Sequence, residues 1–146
     1  MSFSIDVNVL LYASDTASPL SGRASAFLAD CAAGDDLLYL AWPTIMGYLR
    51  IATHPAIFSA PLTPQEAERN IESLLGLPHV RTLGEDENYW ATYTALSRTL
   101  PLRGNTVPDA HLAALLRTHG VRTLYTSDAD FKRFGFLRVI NPFDGS

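Results

Sequence analysis

The chain has 146 residues, 47% of them hydrophobic and 18% charged, with a net charge of −4. That is a globular composition, long enough for one domain that buries about two thirds of its unfolded surface, and its acidic balance argues against indiscriminate nucleic-acid binding through a basic face. The longest run free of charged residues and histidine, Leu37 to Leu49, contains Pro43 and falls well short of the ~20 residues of a membrane-spanning helix. The start, Met1-Ser2-Phe3-Ser4, has neither the basic nor the apolar stretch of a signal peptide, so the expected compartment is the cytoplasm. Cys31 stands alone, which leaves no intrachain disulfide, and reads as a buried space-filler on a small-residue helix face.

In chain order, a short extended run from Phe3 to Ile5 ends on Asp6, and a helical run from Val7 to Ala13 follows at once. Ser18-Pro19 has the form of an N-cap followed by N1 for a helix reaching about Ala33, stopped by Gly34. Leu37–Ala41 is short and nearly all apolar, as a strand buried on both faces requires. Trp42-Pro43-Thr44 opens a helix over about Ile45 to Ala52, and Thr63-Pro64-Gln65-Glu66 is a capping box that starts another, ending near Gly76. His79–Leu83 alternates and reads as an edge strand. Glu85, Asp86 and Glu87 are expected in the first turn of a helix through Tyr89, Trp90, Tyr93 and Leu96, whose aromatics suit core or a dimer surface. After a loop from Ser97 to Val107, Pro108 starts a helix running from Asp109 to about His119. Val121–Thr126 is the best strand, followed by a turn into a short helix over Ser127–Phe131 and a last strand at Leu137–Ile140. Strands and helices alternate with connections too long for hairpins. The fold class is therefore α/β, a three-layer arrangement with a central parallel sheet flanked by helices.

Two strands in this reading end on a carboxylate, Asp6 and Asp128; Asp130 follows two residues on, and Asp109 sits in the first turn of the helix before the second of these strands. In open α/β sheets the carboxyl ends of the strands are where ligands bind. Clustered carboxylates raise one another's pKa, a penalty that a divalent cation removes, and an all-oxygen set suits Mg2+ or Mn2+. Each acid taken alone is equally a helix cap. His111, two residues from Asp109, is turned about 200° around the helix and reads as a surface or outer residue. His54, His79 and His119 lack ligand spacing.

Three ordered motifs, Ile5-Asp6-Val7-Asn8-Val9-Leu10, Val107-Pro108-Asp109-Ala110-His111-Leu112 and Leu124-Tyr125-Thr126-Ser127-Asp128-Ala129-Asp130-Phe131, resemble those of PIN-domain ribonucleases, most nearly the VapC-type toxins of bacterial toxin–antitoxin pairs. The stretches from Gly47 to Phe58 and from Phe134 to Pro142 fit the same group, so the resemblance spans nearly the whole chain, residues 1–146, as a single PIN domain. It implies a Mg2+- or Mn2+-dependent endoribonuclease, a homodimer held inactive by a small VapB-like antitoxin. It carries the metal-site acids onto Asp6, Asp109 and Asp128, with Asp130 as a fourth catalytic acid. Asn8, Thr126 and Ser127 then orient the ligands, and Arg50, Arg98 and Arg103 are the RNA contacts to examine. Tyr48 or Trp42 could stack a base, with core packing the better reading for Trp42.

One departure stands out. Many members of the family carry Glu on the helix after the second strand, where this chain has Gly47. One acid fewer favours a single tight metal, and leaves open a catalytically weakened PIN fold that only binds RNA or an antitoxin. Asp6-Val7-Asn8-Val9-Leu10 is also similar to the nucleophile motif of haloacid-dehalogenase-type phosphatases, but those want Asp at position 8 and a Lys before the final acids, whereas Lys132 follows them.

Overall fold

The computed structural model describes residues 1–144; residues 145 and 146, the end of the expected domain, lie outside the described residues. In chain order the elements are β1 (Ser2–Ile5), α1 (Val7–Ser14), α2 (Ser21–Ala33), β2 (Leu37–Ala41), α3 (Trp42–Ala52), α4 (Pro64–Leu75), β3 (Val80–Leu83), α5 (Tyr89–Ser97), α6 (Thr106–Thr118), β4 (Thr123–Tyr125), a 3-10 helix (Ala129–Arg133) and β5 (Arg138–Ile140). All strand pairs are parallel, in the order β3-β2-β1-β4-β5. The expected three-layer α/β architecture is what forms, with β3 at an edge.

The order of the strands dictates where the helices go. Right-handed crossovers carry the chain outward from β1 to β2 to β3, so α1 to α4 share one face of the sheet. The connection from β3 then jumps back over β1 to β4, which puts α5 and α6 on the other face. Two apolar clusters result. Ile5, Val9, Leu38, Leu40, Ile45 and Ile71 belong to the first; Leu83, Ala110, Leu115, Leu116, Leu124, Phe131 and Phe134 belong to the second. The direction of winding reverses between β1 and β4, and the carboxyl ends of strands at such a switch point are where open α/β sheets bind ligands.

Local boundaries depart from the sequence reading in four places, each through turn chemistry. Ser18 does not cap a helix directly; its hydroxyl accepts from the Leu20 amide in a preceding turn, and α2 begins at Ser21. Glu85, Asp86 and Glu87 lie outside α5, because Asp86 folds back to accept from the Asn88 amide and the helix starts only at Tyr89. Helix α6 starts at Thr106, two residues before Pro108. There Gly104, at φ +57°, makes the left-handed turn, and the Thr106 hydroxyl accepts from the Arg103 amide. Strand β4 is shorter than the apolar run, although Thr126 continues its ladder by donating to the Ile140 carbonyl.

The capping box of α4 is complete: the Thr63 hydroxyl accepts from the Glu66 amide and the Glu66 carboxylate accepts from the Thr63 amide. Thr63→Ala is expected to cost about 1 kcal/mol. Leu115→Ala, at a fully buried α6 position, is expected to cost about 3 kcal/mol. Urea unfolding of the two variants checks both values and their order.

Candidate active site

The reversal point is built on Asp6. Its backbone closes β1 by donating to the Tyr125 carbonyl at 2.9 Å, which ties it to the end of β4. Its side chain then serves two elements. Oδ1 accepts from the Val7 amide at 2.7 Å, so the residue is indeed the N-cap of α1. Oδ2 accepts from the Thr126 hydroxyl at 2.8 Å and from Asn8 Nδ2 at 3.2 Å. Three of the roughly four lone-pair positions of the carboxylate are thereby filled, and one is left for a cation.

Thr126 is saturated. While donating to Asp6, its hydroxyl accepts from Asn8 Nδ2 at 3.0 Å and from the Asp128 amide at 3.0 Å. Asn8 completes the bridge, its Oδ1 accepting from the Ser127 amide at 3.4 Å. Asn8 and Thr126 therefore fix the end of β1 against the turn that presents Asp128, while Ser127 takes part through its backbone. Asp128 caps the 3-10 helix by accepting from the Asp130 amide at 2.9 Å.

Asp6 is 9% exposed, and burial raises its pKa; the hydrogen bonds from Thr126 and Val7 oppose the shift, and the Asp128 charge adds to it. The Asp109 carboxyl is raised as well, first by burial, then by the Asp128 and Asp6 charges, against the lowering effect of Arg133, with Asp130 adding further repulsion. The four acids chosen from the sequence thus converge electrostatically. They are not closed round a point: among the described residues no three acidic, histidine or cysteine side chains are grouped to hold an ion as they stand. The donor set nonetheless fits a hard cation, being all oxygen and under mutual repulsion that a positive charge would relieve.

Arg133 is the cation the sequence reading missed. It pairs with Asp130 at 3.5 Å and donates from Nε to the Asp130 carbonyl at 2.9 Å. Its place three residues after Asp130, one turn of a 3-10 helix, was the available signal. Arg50, Arg98 and Arg103 are exposed, on the last turn of α3 and in the α5–α6 connection, and none is among the charges that shift Asp6 or Asp109. The two aromatic assignments reverse. Tyr48 is buried, its hydroxyl engaged by Ser14 and Asn70, whereas Trp42 is 43% exposed.

Gly47 lies against Val7. A Cβ there would lie 3.6 Å from Val7 Cγ2, an ordinary contact, so a side chain fits beside the residue that follows Asp6. His111 pairs with Glu85 and lies edge-on to Tyr89, away from the acids. His54 accepts from the Ala56 amide, and the rings of His79 and His119 bond to the carbonyls of Cys31 and Gly84. Cys31 is half-buried, its thiol pushed up to about 11 by burial.

Residues 4–137 match the family model of the PIN domain. The chain is 44% identical over 145 residues to ribonuclease VapC48 of Mycobacterium tuberculosis, covering 99% of this chain and 100% of that one. It is 32% identical over 141 residues to ribonuclease VapC43 of the same organism, covering 97% and 95%. Two solved structures share the fold: VapC20 of M. tuberculosis, a sarcin–ricin-loop-cleaving toxin (TM-score 0.68, 14% identity, 95% and 99% coverage), and VapBC2 of Rickettsia felis bound to a promoter DNA fragment (TM-score 0.68, 16% identity, 97% and 98% coverage).

A raised carboxylate pKa means that the folded state binds more protons than the unfolded chain above the unfolded pKa of about 4, so stability is lost as pH rises through the shifted value. Asp109→Asn removes that loss. In EDTA its melting temperature is expected to exceed that of the wild type at pH 7.5, and the difference is expected to shrink towards pH 4. A scanning-fluorimetry series in pH measures it.

Proposed function

This chain belongs to the PIN-domain family, and from that premise we propose that it is an endoribonuclease, the toxin of a toxin–antitoxin pair, using Asp6, Asp109, Asp128 and Asp130 as its catalytic acids. The observation that carries the reading is the convergence of four carboxylates from three segments at the reversal point of the sheet, within a chain 44% identical over its length to a named ribonuclease. The domain we assign is residues 1–146 as one unit, of which the family model covers 4–137. The partners are RNA, a small VapB-like antitoxin and a second copy of the chain. No helix among the described residues is long and apolar enough to cross a membrane.

The cation proposed is Mg2+ or Mn2+, held by Asp6, Asp109 and Asp128. When bound it would supply a Lewis acid for the scissile phosphate and its leaving oxygen. The chain's own residues do the rest. Thr126 and Asn8 orient Asp6 by holding Oδ2, which leaves Oδ1 with its cap bond alone. The Thr126 hydroxyl also fixes the Asp128 backbone, so the two acids keep one relative position. Arg133 offsets part of the acids' charge from the Asp130 side. With Gly47 in place of the family's frequent Glu, one tight cation is the occupancy we propose.

A binding-only reading rests on Gly47 alone. Against it stands the cost of keeping Asp6 buried beside other carboxylates, which a binding surface does not require.

Purified, antitoxin-free protein is expected to cut a total-RNA or tRNA pool into discrete fragments with Mg2+ or Mn2+ and to leave it intact in EDTA. Asp6→Asn and Asp109→Asn, checked for folding by circular dichroism, are expected to lower the rate by at least 100-fold. Full cleavage by either variant, or none by the folded wild type across such pools, would contradict the assignment.

A further inference from the structure

Beside the carboxylates, beyond the ends of β4 and β5, lies a cavity of about 410 Å3 that the reading above leaves unused. Thr126 and Ser127 form the wall it shares with the acid cluster, Val139 and Ile140 give it an apolar side, and Lys132 and Asn141 stand on its lining. Its size lies within the range of small-ligand sites and suits a nucleoside rather than a whole helix of RNA.

Three features define what it takes. First, Lys132, the chain's one lysine, is placed here in a protein of net charge −4. Lys132 and Arg133 are adjacent on the 3-10 helix, and while Arg133 is engaged with Asp130 of the acid cluster, Lys132 lines the cavity. One cation thus stands on the cavity and its neighbour on the acid cluster beside it. Second, Asn141 Oδ1 already accepts from the Phe143 amide at 2.9 Å, so what this side chain has left to offer is its NH2, a donor suited to a base carbonyl. Third, Val139 and Ile140 contribute apolar surface to the lining against which a base can pack, while Asp144 on the lining makes a second phosphate unwelcome and can accept from a base amino group or a ribose hydroxyl.

We propose that this cavity is the subsite for one unpaired nucleotide of the RNA, the one adjoining the phosphate over the carboxylates, with Lys132 on its own phosphate and Asn141 on the base edge. A base can enter such a pocket only when splayed out of a helix. The inference rests on the RNA-cleaving reading; Lys132 and Asn141 are binding residues in it, and neither takes part in bond breaking.

The test is binding of mononucleotides, which separates the subsite from catalysis. Each of the four ribonucleoside 5′-monophosphates is titrated to millimolar concentration into 15N-labelled protein in EDTA, with inorganic phosphate as the comparison. Amide shifts are expected at residues 126–132 and 139–144 with at least one nucleotide, and phosphate alone is expected to move only the neighbourhood of Lys132. Ala129→Leu, a substitution at an exposed residue of the cavity lining, is expected to remove the nucleotide shifts while the rest of the spectrum is kept. Lys132→Gln is expected to weaken binding by about 5- to 10-fold. In parallel, a labelled single-stranded RNA 12-mer of mixed sequence is expected to lose about 0.7 from its log Kd against log salt slope in Lys132→Gln, the share of one phosphate contact. Nucleotide shifts that are absent, lie elsewhere, survive Ala129→Leu, or are fully reproduced by phosphate overturn the subsite. Cleavage of RNA by the wild type, measured separately, bears on the ribonuclease reading and not on the cavity.

Discussion

Repulsion among carboxylates at one sheet edge is the constraint on which this structure turns. Asp6 is delivered by β1, Asp128 by β4 and Asp109 by α6, and the reversal of strand order between β1 and β4 brings the three segments together. Left to itself such a cluster would spread apart. It is held by neutral donors that leave the charge in place: the Val7 amide, the Thr126 hydroxyl and the Asn8 amide bind Asp6 without neutralising it. The hydroxyl of Thr126, with one donor and two acceptor positions all in use, is the joint at which both strands and two acids meet. Arg133 tempers the field from outside. The result is an acidic cluster whose one ion pair among the described residues is that of Asp130 with Arg133.

The fold was legible in the sequence because its signals are strong and local. Leu37–Ala41 is apolar throughout, as a strand covered on both sides must be, and the Thr63–Glu66 box and Asp6 mark their helices by cap chemistry that the structure reproduces. Boundaries slipped where short polar side chains had two uses. Ser18 and Asp86 bond to the backbone two residues on and form turns, where the sequence pattern equally allowed a helix start. Thr106 and Gly104 together begin α6 before its proline, a combination that periodicity does not reveal.

The acids themselves were legible for the same topological reason: a carboxylate at the end of an apolar run has nowhere to go but the sheet edge. What surrounds them was not. The cation that reaches the cluster is Arg133, selected by the pitch of a 3-10 helix; Arg50, Arg98 and Arg103, chosen as RNA contacts, are exposed and do not act on the acids. Trp42 and Tyr48 were exchanged because burial of an aromatic depends on what partners its hydroxyl finds; Ser14 and Asn70 supply them for Tyr48. Gly47 is intelligible only with the structure, since a Cβ there would meet Val7 in ordinary contact and no clash at that atom fixes the glycine.

The claim at the centre of this account is that the carboxylates form one cation site of which Asp109 is part. Calorimetric titration of Mn2+ into RNA-free protein tests it most directly. The account predicts one strong equivalent in the wild type, its loss in Asp109→Asn, and tighter binding in Gly47→Glu, whose Cβ meets Val7 in ordinary contact only. Two strong equivalents in the wild type, or an affinity that Asp109→Asn leaves unchanged, would contradict it.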